Sequence, residues 1–478
     1  MQAEISIALI ERARSVLRRA APLAAMLLAS TLVHAQGIPP LPQLPDLNDN
    51  QLSMARAIPV VCSNLRATYP SGTLTSDQVL LFDACAGVIR AESGADSRSI
   101  ALQELTGEEL NASHSQAIDF GGMQQANILS RLMTLRQASG SSAVASLAPP
   151  DRSVLAFSTG GAAGDGEGSA LDGRLGLFLN GRFGSGSKDT TDLEAGYDVD
   201  ITGLTFGADY RLSDQAVLGA AFSYGSSDSD FDNNDRGLSG GSFDTDGYSL
   251  ALFGSWYGER SYVDVIASYG QMNHDSTRRI SYTLDFKTPG FNCPDPTLGQ
   301  CLTETWDDTA TGSTDSDAFS IGASYGYNFG DGPWTLGPLL AINYLDLSID
   351  GFTEKGAPGL NLTYGDQDGE SLQLQAGFDV ARASSMSWGV LSPYARFVYV
   401  NEQKNDQQVF DLRYSADPLA TPVAVRSDEP DRNFFRWGVG LSALFANGVS
   451  AFMDYDSVLS LDTVDYWEIT AGLRYEFR

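Results

Sequence analysis

The chain is poor in what a catalyst or a nucleic-acid binder needs. Histidine occurs only as His34, His114 and His274 in 478 residues, which leaves imidazole acid–base chemistry little material. Cations are scarce: 30 Lys plus Arg face 60 Asp plus Glu, a formal net charge of −30, so the basic surface that phosphate binding requires is not expected, nor is a nucleic-acid partner. The acid excess reads as solvated loops. No run of about 20 apolar residues is present, so no transmembrane helix is predicted; a chain of this kind that spans a membrane must do so as a closed barrel. Cysteine is limited to four residues, Cys62, Cys85, Cys293 and Cys301. Neither local pair has the C-x₂₋₄-C spacing or a neighbouring histidine, so a zinc site is not expected, and no cofactor pattern is found.

What is present is strand alternation, clearest at residues 466–478. Trp467, Ile469, Ala471, Leu473, Tyr475 and Phe477 fall on one face, and Glu468, Thr470, Gly472, Arg474, Glu476 and Arg478 on the other. A period of two predicts a strand with one apolar and one polar face. Aromatics bracket the apolar face and full charges occupy the other, a combination that suits lipid outside and a wet lumen inside. Thr470, Gly472, Tyr475 and Phe477 resemble the C-terminal assembly signal of bacterial outer-membrane barrels.

The N-terminus reads as a signal peptide over residues 1–35. Arg12, Arg14, Arg18 and Arg19 form a basic flank, residues 20–33 are apolar, and an A-x-A-like site places cleavage between Ala35 and Gln36. Export implies an oxidising compartment, hence disulfides Cys62 to Cys85 and Cys293 to Cys301. Residues 36–95 contain two apolar-periodic helical segments, 51–68 and 76–91, separated by a Pro-Ser-Gly turn. They predict a hairpin that needs its disulfide because so small a unit buries little core. Residues 96–137 predict a third helical stretch, broken near Gly121 and Gly122. Residues 138–170 read as a flexible linker rich in Gly, Ala and Ser.

From residue 171 to 478 the period is two throughout. About twelve strand segments centre near residues 178, 205, 221, 252, 265, 324, 341, 376, 396, 440, 453 and 472. Short turns are predicted at Ser213, Gly258, Gly330, Ser384 to Ser385, and Asn447. Long polar loops are predicted near 184–198, 225–245, 272–316, 348–368, 401–431 and 457–464. Sorting of short and long connections is the outer-membrane pattern, with turns in the periplasm and loops outside. Charges inside strands, Asp264, Asp379, Arg396, Arg436 and Arg474, should face a lumen because lipid would penalise them.

The prebarrel segment 101–136, the opening strand 176–181, the stretch 206–210 and the last strand together resemble the autotransporters of type V secretion. Cys62 and Cys85 ahead of the helix resemble members with short exported heads. The resemblance implies an antiparallel twelve-stranded pore with a helix through it, inserted by the barrel-assembly machinery and surrounded by outer-membrane lipid. It implies that the barrel assists export of its own N-terminal segment and then anchors it, with a stand-alone channel or adhesin plugged by its N-terminal helices as the alternative. Residues 36–170 leave room only for a short passenger, and no G-D-S esterase motif is found, so no enzyme is expected. Glu104, Glu108, Glu109 and Asp119 on the threaded helix are predicted to pair with lumen arginines Arg396, Arg436 and Arg474.

Two motifs need weighing. Gly322, Ser324 and Gly326 match the G-x-S-x-G nucleophile elbow, but within an alternating strand rather than a strand-to-helix turn. Asp228, Asp230 and Asp232 resemble a calcium loop lacking its turning glycine, so a solvated loop is favoured.

Overall fold

In a computed structural model, residues 40–68, 72–91, 95–110, 174–234, 238–287, 301–329, 333–445 and 448–477 are described. The signal-peptide residues Ala35 and Gln36, His34, His114, Asp119, Cys293 and the linker 138–170 lie outside them. No helix among the described residues is long and apolar enough to cross a membrane. Residues 40–43 belong to a separate unit, described only as the turn Leu41–Gln43.

The remainder begins with three helices, α1 (Asp49–Thr68), α2 (Ser76–Arg90) and α3 (Ala95–Glu104). Thr75 caps α2 in a reciprocal capping box with Gln78, which satisfies two orphan donors of the first turn. A disulfide joins Cys62 of α1 to Cys85 of α2, with Cα atoms 5.9 Å apart. Residues 111–137 of the predicted third helical stretch lie outside the described residues, and α3 ends at Glu104. It stops before Gly107, whose φ of +64° breaks the helix ahead of Gly121.

Strands follow in chain order: β1 (Leu175–Lys188), β2 (Tyr197–Ser213), β3 (Ala216–Asn234), β4 (Leu238–Tyr257), β5 (Ser261–Lys287), β6 (Cys301–Tyr327), β7 (Trp334–Ile349), β8 (Leu362–Tyr364), β9 (Gln367–Arg382), β10 (Ser384–Met386), β11 (Gly389–Glu402), β12 (Val409–Tyr414), β13 (Val423–Arg426), β14 (Asn433–Phe445), β15 (Val449–Leu459) and β16 (Val464–Glu476). With β10 continuing β9 past Ala383, the large sheet is a closed antiparallel barrel of twelve strands, and β8, β12 and β13 form a separate small sheet. Every predicted strand centre falls in one of the twelve. The seam closes between β1 and β16, with Leu179 opposite Leu473 and Asn180 opposite Gly472. Gly472 must be small there: a Cβ would lie 2.2 Å from Asn180 Oδ1 and 2.3 Å from Phe452 Cε1. The turn expected at Ser384 and Ser385 sits instead at Ser387 and Trp388, because strand pairing with β11 continues through Met386.

The apolar face of the strands points out of the barrel. Leu179, Leu204, Leu250, Leu252, Leu340, Leu441 and Leu473 are 44–69% exposed. Aromatics flank this band. Trp256, Phe329, Trp334, Trp388 and Tyr475 ring the short-turn end, and Phe183, Tyr224, Tyr248 and Tyr269 ring the other. From Tyr248 to Trp256 is eight steps, about 27 Å of strand, or roughly 20 Å along the normal at the usual tilt, close to the apolar band of an outer-membrane barrel. Arg474, Thr470 and Asp264 face inward.

The expected loops 225–245 and 272–316 are corrected: they are largely strand. β5 and β6 run 27 residues each, more than twice the about 9–11 that cross a bilayer core. Beyond Tyr269 the faces invert. Gln271, Asn273, Asp275, Asp315 and Asp317 point outward, while Met272, Ile280, Tyr282, Leu284 and Trp306 point inward and are buried. Past the lipid the outer face meets water, and the inner face has something apolar to cover. Asp228, Asp230 and Asp232 therefore lie exposed on one face of β3 rather than converging in a loop.

The sorting of faces has a direct test. Leu441→Arg places a charge against lipid and should cost about 2–4 kcal/mol at mid-bilayer, read as loss of the heat-modifiable folded form in isolated membranes. Ser442→Asn, one residue along and inward-facing, should fold at close to wild-type levels. Equal losses at both positions would contradict the assignment of faces.

Candidate functional site

The inner face of the extended β4–β6 wall and the small sheet receive the helical head. α2 lies on Trp306, which stacks on Tyr282 at 5.0 Å between ring centroids. Gly87 allows this approach, since a Cβ would meet the Trp306 ring at 2.9 Å. Burying such rings supplies the largest apolar contribution available to so small a head.

Polar clamps hold α1 and the end of α3. Asn50 at the start of α1 is fully buried. Its Nδ2 donates to the carbonyls of Leu193 (3.0 Å) and Arg426 (2.9 Å), and its Oδ1 accepts from Arg426 N–H at 2.7 Å. The amide thus satisfies the outer edge of β13 as a neighbouring strand would. Asn48 Nδ2 donates to Asp192 O at 2.6 Å and Gln103 Oε1 at 3.0 Å. Asn64 Nδ2 donates to Thr421 Oγ1 at 2.8 Å and Asp417 Oδ1 at 3.3 Å. Tyr414 O–H donates to Leu105 O at 3.1 Å.

α3 and the turn Glu108–Leu110 bring three carboxyls into the joint. Glu104 accepts from Ser239 O–H (2.6 Å) and Ser281 N–H (2.9 Å), and Gln103 donates to Glu108. Burial pushes Glu104 up to about 8 against those two hydrogen bonds, and pushes Glu109 up to about 7 although Arg278 opposes it. Burial, reinforced by Glu109, drives Glu108 well above the ordinary carboxyl range. Arg278 is itself held by a two-pronged pair with Glu354, at 2.9 and 2.6 Å, and donates to the carbonyls of Leu360 (3.0 Å) and Glu104 (3.2 Å). Burial works against its charge, but Glu354 outweighs it and keeps the guanidinium protonated. Lys188 is bound by Glu194 and, at 2.7 Å, by Asp428.

The predicted lumen arginines lie on the inward face of their strands, as expected, but take other partners than the expected acids. Arg396 pairs with Asp379 at 2.9 Å. Arg474 grips Asp209 at 3.1 and 2.6 Å and reaches Glu476 at 2.5 Å. Arg436 lies 5.5 Å from the centre of the Phe434 ring. None of the three meets Glu104, Glu108 or Glu109: α3 engages the long-strand end, while Arg396 pairs with the neighbouring β9 and Arg474 reaches across β1 to β2. The lumen is also less wet than expected: Phe178, Val217, Phe253 and Ile266 form an apolar cluster inside it.

The remaining motifs do not assemble chemistry. Ser324 lies on β6 and donates to Asp264 at 3.1 Å, which also accepts from Ser255 at 2.5 Å. His274 is elsewhere, between Thr245 (2.8 Å) and Ser316 (2.7 Å), stacked on Phe243. His274, the one histidine among the described residues, does not stand by Ser324. The assembly-signal residues Tyr475 and Phe477 face outward with rings 5.1 Å apart, and Thr470 is buried inward. Among the described residues no group of acidic, histidine or cysteine side chains is placed to hold a metal. The clamps Asn48, Asn50 and Asn64 carry no sequence signal of their own. The inverted alternation of Met272, Ile280, Tyr282 and Leu284 does, and it could have revealed the docking wall.

Residues 177–456 match the family model of the autotransporter β-domain, more than half of the chain and nearly all of the closed barrel. The chain belongs to the autotransporter β-domain family. It is similar to outer membrane protein A of Rickettsia conorii, 26% identical over 279 residues, covering 57% of this chain and 13% of that one. It is similar to esterase EstA of Pseudomonas aeruginosa, 25% identical over 273 residues, covering 55% and 36%. The chain therefore matches well under half the length of these relatives. Among solved structures it resembles the translocator domain of the autotransporter NalP from Neisseria meningitidis, with TM-score 0.46 and 18% identity over 66% of this chain and 90% of that one. An autotransporter barrel places this protein in the outer membrane.

Two substitutions test the joint and the wall. Asn50→Ala removes the partner of Arg426 N–H and of two carbonyls at a partly buried edge, and should cost about 1–3 kcal/mol, seen as faster proteolysis of α1 with the barrel intact. Arg474→Ala removes the guanidinium that grips the buried Asp209, which should cost about 3–5 kcal/mol and lower the temperature at which the barrel loses its heat-modified mobility.

Proposed function

We propose that this autotransporter exports its own N-terminal region and keeps the helical head docked on the exterior end of its barrel. The observation that carries the reading is the side on which the head sits. α1, α2 and α3 engage the elongated ends of β4, β5 and β6 and the small sheet, opposite the short turns at Asp214, Gly258 and Ser387. In outer-membrane barrels short turns face the periplasm and long segments face outside. A head at that end has crossed the membrane, and the barrel it rests on is the available route.

The head's disulfide suits a segment that has passed through an oxidising compartment. Its buried clamps favour retention after export over release as free cargo. Thr470, Gly472, Tyr475 and Phe477 are then the features through which the barrel-assembly machinery would recognise the last strand, and outer-membrane lipid surrounds the apolar band. Relatives named esterase and lipase carry activities of their own; nothing in the head's described residues assembles a nucleophile, and we assign it no enzymatic role.

An epitope inserted between Thr68 and Ser76, in the connection of α1 to α2, should be bound by antibody on intact cells. Binding only after the outer membrane is permeabilised would overturn export and favour a periplasmic plug.

A further inference from the structure

We propose that the joint between head and barrel is a proton-controlled latch, in which the carboxyls of Glu104, Glu108 and Glu109 hold the head docked while protonated and loosen it as they ionise. The inference rests on the docked geometry alone and does not depend on which end of the barrel faces outside.

The three acids fall within six residues and are at most 9% exposed. The groups that face them come from every element packed around the joint. β5 contributes Arg278 and Tyr282, β6 contributes Asp308, and β8 with the turn before it contributes Glu354 and Tyr364. β12 contributes Tyr414, the end of β1 Lys188, the β1–β2 connection Glu194, and the β13–β14 connection Asp428. Among the described residues carboxyls outnumber cations here, and Arg278 and Lys188 are engaged: Arg278 in its two-pronged pair with Glu354, Lys188 with Glu194 and Asp428. Glu104 and Glu108 instead take hydrogen bonds from neutral donors, Ser239, the Ser281 amide and Gln103, and Glu109 Oε2 is buried without a hydrogen-bond partner among the described residues. A buried carboxylate without a counterion is costly, and the inexpensive alternative is to keep the proton.

The sign follows from linkage. Docked carboxyls whose pKa stands above the solvated value of 4.5, Glu104 at about 8 and Glu109 at about 7, bind more protons than the released ones. Docking is fully favoured below about pH 4.5 and weakens as pH rises through 7 and 8. Each such group changes the docking equilibrium by up to about tenfold per pH unit inside its window. No set of side chains in the joint converges as metal ligands do, among the described residues, so the proton rather than a divalent cation is the ligand.

The test uses the full-length protein in detergent micelles. Amide hydrogen exchange, corrected for its intrinsic pH dependence, is followed in α1 and α2 and in β14–β16 at pH 5.5 and 8.5. Protection of the head should fall at least about tenfold at the higher pH, with the barrel strands unchanged. The triple variant Glu104→Gln, Glu108→Gln, Glu109→Gln should stay protected at both. Equal wild-type protection at the two pH values, or a variant that keeps the wild-type slope, would overturn the latch. Release of the wild-type head by EDTA at pH 5.5 would also overturn it, in favour of a bound cation; that arm and the wild-type slope decide the matter even if the variant does not fold.

Discussion

Lipid offers no partner to a backbone N–H or carbonyl, and the rest of this structure depends on that constraint. Twelve strands can leave no edge unpaired, so β1 must find β16 across nearly three hundred residues of sequence. The seam succeeds because small residues let it close. Gly472 sits opposite Asn180 and under Phe452, where no Cβ fits. The same seam carries buried ion pairs, Arg182 with Glu468 and Arg474 with Asp209. Such pairs add little net stability but penalise any misregister that would part them.

The second constraint is that each strand crosses two environments. Within the bilayer β5 shows Val265 and Tyr269 to lipid and Asp264 and Ser268 to the lumen. Further along, the apolar residues move to the inner face without a break in pairing with β6. That inversion turns a pore wall into a docking wall. The head is too small to hold a large core of its own, and it completes one by adding its helices to Trp306, Tyr282 and Leu284. Barrel and head are thus parts of one hydrophobic unit beyond the lipid-facing band.

Much of this was legible in the sequence, for a physical reason. Alternation reports which residues face lipid, so strands and faces around Phe319, Leu441 and Leu473 could be placed from pattern alone. The extensions of β3 to β6 were not, because their outer residues are Asp, Ser and Thr and their composition resembles a loop; only the inward Met272, Ile280 and Leu284 betray a strand. Pairing of Glu104 and Glu108 with lumen arginines failed because charge complementarity names compatible partners without saying which are near. Arg474 was already taken by Asp209, which it reaches across Gly176 of β1. Asn50 was invisible for a different reason: an amide that completes a strand edge looks like any other polar residue on a helix.

The most direct measurement is of contact between head and barrel in living cells. A photoreactive amino acid in place of Asn64, which here donates to Thr421 and Asp417, would be activated in intact cells and its products mapped by mass spectrometry. Docking at the long-strand end requires an intramolecular crosslink to the segment 414–426. Crosslinks to periplasmic proteins, to the short turns, or to no part of the barrel would contradict it.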